Sequence, residues 1–282
     1  MENVKKIFAN LAKTLLFVGL MVIIGFLLNY SWKALPFAKN INRLISEGFT
    51  IVVVLVLYYL FMVKWSKIPF SKLNIFPSSQ RFSLLGYGIL IGFALLIAVF
   101  FIIKSLGAIS ISALENLNIT HSVFILFITM LFAAIWEEVA FRGCILQMLS
   151  ESVGIHPSCI IVASSFGLLH CLSPLSSPQI VISTFMSGML LGYAYFYAGN
   201  LYLPIGIHFG WNFLNSLLFS GKLYNVEYLN NALAGTKNPE QGMVAIVMTG
   251  MAAACLAVLY VHKNRRTQFI TEAQHAKRDR KY

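Results

Sequence analysis

The sequence predicts an all-α fold: a polytopic membrane bundle of about eight transmembrane helices. Of the 282 residues, 58% are hydrophobic and 11% are charged, whereas soluble domains carry roughly 25% charged residues. The mean hydropathy is +0.76. Eight apolar stretches approach the ~20 residues that a helix needs to cross a hydrocarbon core. This composition excludes a soluble enzyme and a disordered chain, and four cysteines are too few for a disulfide scaffold.

The predicted spans follow one another along the whole chain. They lie at about residues 11–30, 48–63, 84–103, 123–149, 156–172, 179–197, 201–219 and 243–261. Lysines precede the first span, as in a signal peptide, but no small-x-small cleavage site follows it, so we interpret it as retained. We expect three parts: three helices in residues 1–122, a four-helix core in 123–219, and a loop, the last helix and a basic tail in 220–282.

The basic residues predict the orientation of the bundle. The chain has 21 Lys and Arg against 10 Asp and Glu, a formal charge of +11. Fourteen of these basic residues lie at the termini and in the even-numbered loops, and six lie in the odd-numbered loops. Because basic residues accumulate on the cytoplasmic side of a membrane, we expect both termini to be cytoplasmic. No soluble basic domain remains that would bind nucleic acid.

Two of the ten acidic residues, Glu137 and Glu138, lie deep in a predicted span. A charged residue at a helix centre costs at least ~2.5 kcal/mol, and such residues are functional by default. Glu138 and Arg142 are four residues apart and share a helix face, which predicts an ion pair. Glu137 points about 100° away and is therefore the freer carboxylate. The purely structural alternative is a buried network of all three residues that locks the helices together.

Two histidines and an asparagine also lie in predicted spans. His170 is near the end of the fifth span, and His208 and Asn212 share one face of the seventh. Counted from the cytoplasmic helix ends at 1.5 Å per residue, Glu137, His170 and His208 lie about 17, 21 and 10 Å deep. This spread is comparable to boundary error plus helix tilt. The depths therefore allow these groups to meet inside the membrane.

These residue types suit hydrolysis inside a bilayer. Such a reaction needs a base that activates water, and donors that hold the oxyanion formed at the attacked carbonyl. Glu137 would be the base, while the two histidines and Asn212 would orient the water, hold the oxyanion and protonate the leaving amine. Alternatively, Glu137, His170 and His208 form a hydrolytic zinc site with water in the fourth position. The His-Glu-x-x-His spacing is absent, so spacing alone does not require a metal.

Three motifs, on the fourth, fifth and seventh predicted spans, carry a resemblance to a known family: Glu137-Glu138-x-x-x-Arg142, Phe166-x-x-x-His170 and His208-x-x-x-Asn212. In this order they resemble the CPBP family, also called Abi or type II CAAX prenyl protease-like, whose members are intramembrane proteases. The resemblance covers about residues 123–219. It gives Glu138 and Arg142 the places of the second Glu and the Arg of the first motif, in agreement with the ion pair.

The resemblance also implies individual roles. Glu137 activates the water, His170 and His208 complete the catalytic centre, and Asn212 helps hold the oxyanion. Members of this family were long called metalloproteases; we favour a glutamate-driven mechanism without a cofactor, with zinc as the alternative. The implied substrates are membrane-associated peptides or proteins, either in CAAX-type processing or in bacteriocin maturation or self-immunity. The expected location is the plasma membrane of a prokaryote, in contact with the lipid bilayer.

Two other functions use the same buried polar residues. A non-catalytic membrane scaffold or binding protein would keep them for packing. A transporter or proton relay would also place Glu and His inside the membrane. However, many transporters have related halves, and this sequence has no recognisable internal repeat.

Overall fold

The computed structural model describes six stretches of the chain: residues 2–33, 38–113, 120–172, 177–220, 223–236 and 238–279. Their α-helices are α1 (Glu2–Lys33), α2 (Lys39–Tyr58), α3 (Ser79–Ser105), α4 (Thr120–Glu138), α5 (Gln147–Val153), α6 (Ile155–Leu169), α7 (Pro178–Ala198), α8 (Tyr202–Phe219), α9 (Asn231–Ala234) and α10 (Met243–Asp279). The strands are β1 (Ile109–Ala113) and β2 (Tyr224–Tyr228). Tyr59–Trp65 and Val139–Leu146 are π-helical, and 3-10 turns occur at Phe70–Leu73, His170–Leu172 and Pro239–Gln241.

Within these described stretches, seven helices are long and apolar enough to cross a membrane. They are Ile7–Leu27, Lys39–Trp65, Ser79–Ser105, Val123–Val153, Ile155–Leu172, Pro178–Ala198 and Met243–Gln268. They coincide with seven of the eight predicted spans, which confirms the helical membrane bundle. The three-part division of the chain and the cytoplasmic placement of the termini stay predictions.

The predicted seventh span is the exception. It forms helix α8, but His208, Asn212 and Asn215 lower its hydropathy, and it is not among the seven apolar helices. α8 nevertheless packs tightly along α3, because a Cβ on Gly206 would lie only 2.3 Å from the carbonyl oxygen of Leu85. Close approach of two backbones at glycine is a common packing mode in membranes.

Helices α3 and α8 run in parallel over most of the length of α8. Near its start, a Cβ on Gly88 would lie 2.5 Å from the carbonyl oxygen of Leu203. Near its end, the rings of Phe100 and Phe219 lie 5.9 Å apart, edge to face. α8 therefore accompanies the apolar span of α3, and its polar side chains are held at a fixed depth.

One end of the bundle, which we call the strand face, is where β1 pairs antiparallel with β2. β1 follows α3 and β2 follows α8, so the C-terminal ends of these two helices lie there. Helix α7 also begins at the strand face, because Thr184 in its second turn and Glu240 in the connection between β2 and α10 line one cavity. Helix α6 ends there, because it is antiparallel to α7: a Cβ on Gly167 would meet Val181, and one on Gly192 would meet Cys159.

The opposite end, which we call the terminal face, holds the beginning of α1 and the end of the α10 span. Asn10 Nδ2 in α1 donates to the carbonyl of Met148 in α5, at 3.0 Å. Lys263 Nζ in α10 donates to the carbonyl of Tyr197 in the last turn of α7, at 2.7 Å. Because α5 leads into α6, whose first residues lie beside the last turns of α7, these contacts belong to the same end.

Helix α4 passes at Glu138 directly into the π-helical segment Val139–Leu146, all of whose residues are buried. π-helical turns are rare and occur frequently at functional sites. This segment carries Arg142, whose side chain has no exposed surface. The widened turn therefore directly follows the two glutamates of the predicted site.

Candidate active site

Glu138 and Arg142 form the ion pair that their spacing predicts. Arg142 Nη1 donates to Glu138 Oε1 at 2.8 Å, and both side chains are fully buried. Arg142 Nη2 donates to the carbonyl of Gly188 on α7, at 3.2 Å. A buried charge must be paired and hydrogen-bonded to be tolerated. The pair therefore joins α4 to α7 and is structural in character.

His208 connects the two glutamates. Its Nδ1 lies 2.8 Å from Glu138 Oε1, and its Nε2 lies 3.7 Å from Glu137 Oε2. The Glu138 oxygen already accepts a hydrogen bond from Arg142, so the network assigns the proton to Nδ1 of His208. A hydrogen bond at one ring nitrogen decides which nitrogen serves the site. Nε2 is therefore the atom that His208 presents towards Glu137.

His170 is oriented in the same way by its backbone. Its Nδ1 lies 2.8 Å from the carbonyl oxygen of Phe166, one turn earlier in α6. A carbonyl only accepts, so Nδ1 donates and Nε2 is the nitrogen left for the cavity. The Phe166 ring packs edge to face against both histidines, with centroids 4.9 Å from His170 and 6.4 Å from His208. Phe166 thus separates and steadies the two imidazoles.

The four predicted catalytic residues line one cavity of about 160 Å³, which we call the polar cavity. It contains Glu137 from α4, His170 from the end of α6, and both His208 and Asn212 from α8. Its other polar lining residues are Ser183, Thr184, Ser187, Trp211, Glu240 and Thr249. The structure therefore brings together side chains that the sequence places up to 75 positions apart.

A second cavity, of about 260 Å³, adjoins the same residues and is apolar. Glu137, Phe166 and His170 line it as well as the polar cavity. Its remaining lining residues are Phe17, Val18, Met21, Val22, Trp136, Ala140, Phe141, Ile145 and Leu169. We call it the apolar cavity. Glu137, whose side chain is 18% exposed, therefore stands where a polar and an apolar space meet.

Glu240 is a residue of the site that sequence reasoning missed. Its Oε1 accepts from Trp211 Nε1 at 2.6 Å and from Asn215 Nδ2 at 3.1 Å, and its Oε2 accepts from Asn238 Nδ2 at 3.2 Å. These bonds attach the segment before α10 to α8, on either side of Asn212. The sequence placed Glu240 in a loop, and no local spacing could have indicated a contact with a helix 29 residues away.

Glu47 is a second acid that the predicted span boundaries placed in a loop. It lies in α2, and its Oε2 accepts from Trp136 Nε1 at 2.6 Å. Trp136 precedes Glu137 and forms part of the apolar cavity. Glu47 therefore fixes the orientation of a wall of that cavity. The signal available in the sequence was an acid next to a span whose boundary is uncertain by several residues.

The zinc ligands of the alternative mechanism would be Glu137, His170 and His208. In the part of the chain that the structure describes, no group of three or more His, Cys, Asp or Glu side chains is close enough to hold a metal ion. His208 Nδ1 is engaged by Glu138 and His170 Nδ1 by a backbone carbonyl, which leaves Nε2 of each histidine towards the cavity. The metal-free centre and the zinc alternative both stay predictions, and no step below is assigned to a metal.

Comparison with known proteins agrees with the three motifs. Residues 119–214 match the family model described as type II CAAX prenyl endopeptidase Rce1-like. No curated protein matches the chain. The matched segment contains Glu137, Glu138, Arg142, His170, His208 and Asn212. The resemblance is thereby confirmed for this segment, and we call residues 119–214 the Rce1-like domain after the family model that they match.

Proposed function

We propose that this protein is an intramembrane endopeptidase that hydrolyses a peptide bond of a membrane-associated protein or peptide, with Glu137 as the base that activates water. The observation that carries the proposal is the convergence of Glu137, His170, His208 and Asn212 on one polar cavity inside an apolar bundle. The Rce1-like domain supports a CAAX-type intramembrane protease at the level of the family.

The division of labour between the two glutamates supports Glu137 as the base. Glu138 is fully buried and bonded to both Arg142 and His208. Glu137 is partly exposed and faces both cavities. A general base must reach a water and the attacked carbonyl at the same time. Only the environment of Glu137 leaves room for both a water molecule and the attacked carbonyl.

The hydrolysis can be written with these groups alone. The Glu137 carboxylate takes a proton from water while the water oxygen attacks the carbonyl carbon, and the carbonyl oxygen becomes an oxyanion. An amide N–H of Asn212 donates to that oxyanion, and so does the Nε2–H of a histidine that carries a proton on both ring nitrogens. The proton held by Glu137 passes to the amide nitrogen, the C–N bond breaks, and the products are a carboxylic acid and an amine.

The apolar cavity supports a substrate that comes from the membrane. A space of about 260 Å³ lined mainly by aliphatic and aromatic side chains favours apolar groups over charged ones. It reaches Glu137 from the side of α1, whereas polar side chains surround the opposite approach. An apolar segment in this cavity would place its backbone beside the water held in the polar cavity. The location in the plasma membrane of a prokaryote stays a prediction.

The direct test is cleavage by purified protein in lipid vesicles, with a panel of membrane-tethered peptides. Glu137→Gln should keep the fold and lose cleavage, because the amide keeps the volume and removes the base. His170→Ala and His208→Ala should each lose most of the activity. Glu151→Gln is the matched control. Because Glu151 is exposed on α5, this variant should cleave like the wild type.

Three results would contradict the proposal. Cleavage that survives the changes at Glu137, His170 and His208 would remove the site. A protein that cleaves nothing while the same changes alter only its stability would support a scaffold. Stoichiometric zinc that is lost together with activity on chelation would replace the metal-free mechanism by the zinc alternative.

A further inference from the structure

We propose that the polar cavity opens at the strand face, so that the peptide bond is hydrolysed on the side of the membrane away from the cytoplasm. This inference rests on the proposed function and specifies its substrate class. The substrate is a membrane-tethered peptide or protein whose cleaved segment lies outside the cytoplasm.

Several helix ends at the strand face line the polar cavity. His170 directly follows the last residue of α6, and Ile180 and Thr184 lie in the first two turns of α7. Thr249 lies in the second turn of α10. All of these helix ends belong to the strand face. The polar cavity therefore extends from these helix ends at the strand face inwards to His208, in the second turn of α8.

The connection between β2 and α10 also reaches into the polar cavity. Glu240 belongs to the connection between β2 and α10, which lies at the strand face. Its carboxylate is both a lining group of the cavity and the acceptor for Trp211 and Asn215. The Glu240 side chain is only partly buried, and removing a carboxylate completely from water is costly. The entrance for water therefore lies next to Glu240.

The region between the polar cavity and the terminal face is tightly packed. Between Glu137 and the terminal face lie the buried ion pair and the π-helical segment that follows it. Leu146, Leu149 and Cys159 in this region are at most 1% exposed. Protein interiors packed in this way contain few voids that hold water. A route for water or a polar peptide from the terminal face would have to cross this packed layer.

The distribution of basic residues relates these two faces to the cytoplasm. The terminal face receives Lys5 and Lys13 of α1, the four basic residues from Lys64 to Arg81, and Lys263, Arg265 and Arg266 of α10. The positive-inside rule places this face in the cytoplasm. The strand face, where the polar cavity opens, then faces away from it.

The sidedness separates the two substrate classes that the sequence left open. A cytoplasmic C-terminal motif would approach the terminal face, where the packed layer blocks it. A peptide that has been exported, or a membrane protein segment exposed outside the cytoplasm, meets the open end directly. The substrate must therefore be delivered by a transport or insertion step before it is cleaved.

A native cysteine provides the test. Of the four cysteines, Cys144 and Cys159 are buried, whereas Cys171 and Cys255 are exposed. Cys171 follows His170 at the strand face. In a Cys255→Ser background, intact cells are treated with a membrane-impermeant maleimide, and the remaining thiols are then labelled with biotin maleimide after solubilisation. We expect the treatment to abolish labelling of Cys171.

The matched control places a thiol on the opposite face. Ser79→Cys, combined with Cys171→Ser and Cys255→Ser, puts an exposed thiol at the first residue of α3 on the terminal face. We expect it to be blocked in inside-out vesicles and not in intact cells. Blocking of Cys171 in inside-out vesicles alone, or blocking of both thiols from the same side, would overturn the inference.

A third variant tests the opening of the cavity itself. Ser187→Cys, in the background that lacks Cys171 and Cys255, places a thiol in the polar cavity. A small cationic methanethiosulfonate should modify it in intact cells, and modification from the cytoplasmic side alone would contradict the opening. Labelling does not depend on cleavage. An inactive protein with the expected labelling would therefore contradict only the proposed function. An active protein with the opposite labelling would contradict only the opening of the polar cavity away from the cytoplasm.

Discussion

The polar and the apolar cavity meet at Glu137 and His170 but are built from different parts of the chain. The polar cavity is formed by residues of α4, α7, α8 and the end of α6, all within the Rce1-like domain, with Glu240 and Thr249 added from beyond it. The apolar cavity takes one wall from α1, which lies outside the matched segment. The difference between the two cavities teaches that the matched segment supplies the proposed catalytic residues, whereas the flanking segments add to the walls around them.

The ion pair behind the polar cavity should give the largest effect on stability. Glu138→Gln leaves the Arg142 guanidinium buried without its partner and weakens the bond to His208. Breaking a buried pair in this way costs roughly 3–5 kcal/mol. Thermal unfolding in detergent should show a clear fall in Tm. Glu137→Gln is the adjacent, isosteric control, and an equal fall in both variants would contradict the different roles of the two glutamates.

The glycine contact between α3 and α8 should come next. Gly206→Ala directs a methyl group at the carbonyl of Leu85, 2.3 Å away, so the helices must separate and carry His208 and Asn212 with them. Overpacking of this kind costs typically ~1–3 kcal/mol. Both Tm and cleavage should fall. The control is Gly86→Ala on α3, where an added methyl group would meet nothing within 4 Å. A comparable fall in Tm and cleavage in that control would show that helix composition, not packing, is responsible.

Sequence patterns predicted those parts of the molecule that depend on neighbouring residues. Hydropathy gave the spans, because a helix in lipid must be apolar over its own length. The ion pair followed from the four-residue spacing of Glu138 and Arg142. The polar seventh span was recognisable as a helix, although its His and Asn residues keep it out of the seven apolar spans.

The parts that the sequence could not predict depend on contacts between distant segments. His208 bonds to Glu138 across 70 positions, although the estimated depths of His208 and of the adjacent Glu137 differ by about 7 Å. Helix tilt and π-helical turns shift residues along the membrane normal. Trp136 reaches Glu47 across 89 positions. The strands β1 and β2 each alternate apolar and polar residues, but this local pattern does not show that the two segments pair with each other. Such contacts follow from the packing of distant segments, which no local spacing encodes.

Filling each cavity separately should produce different kinetic changes. Val18→Phe occupies the apolar cavity and should raise KM by about tenfold, or ~1.4 kcal/mol, because it removes apolar binding space. Ser187→Leu occupies the polar cavity and should instead lower kcat, because it displaces water from the base. Initial rates over a range of substrate concentrations measure both. The same kinetic change in both variants would mean that the two cavities do not have separate functions.

The smallest effect is expected at Glu240, which positions α8 without touching the reacting groups in the proposed mechanism. Glu240→Gln keeps one oxygen as an acceptor for Trp211 and Asn215 but loses the charge on it. A hydrogen bond to a charged group contributes ~1.5–3 kcal/mol and one between neutral groups about half of that. We therefore expect Glu240→Gln to lower the free energy of unfolding by about 1 kcal/mol. The exposed Glu227 on β2 is a control at the same face, and Glu227→Gln should leave Tm unchanged. Since Glu240 fixes the residues on either side of Asn212, Glu240→Gln should lower kcat while KM stays close to that of the wild type, whereas a change in KM alone would assign Glu240 to substrate binding.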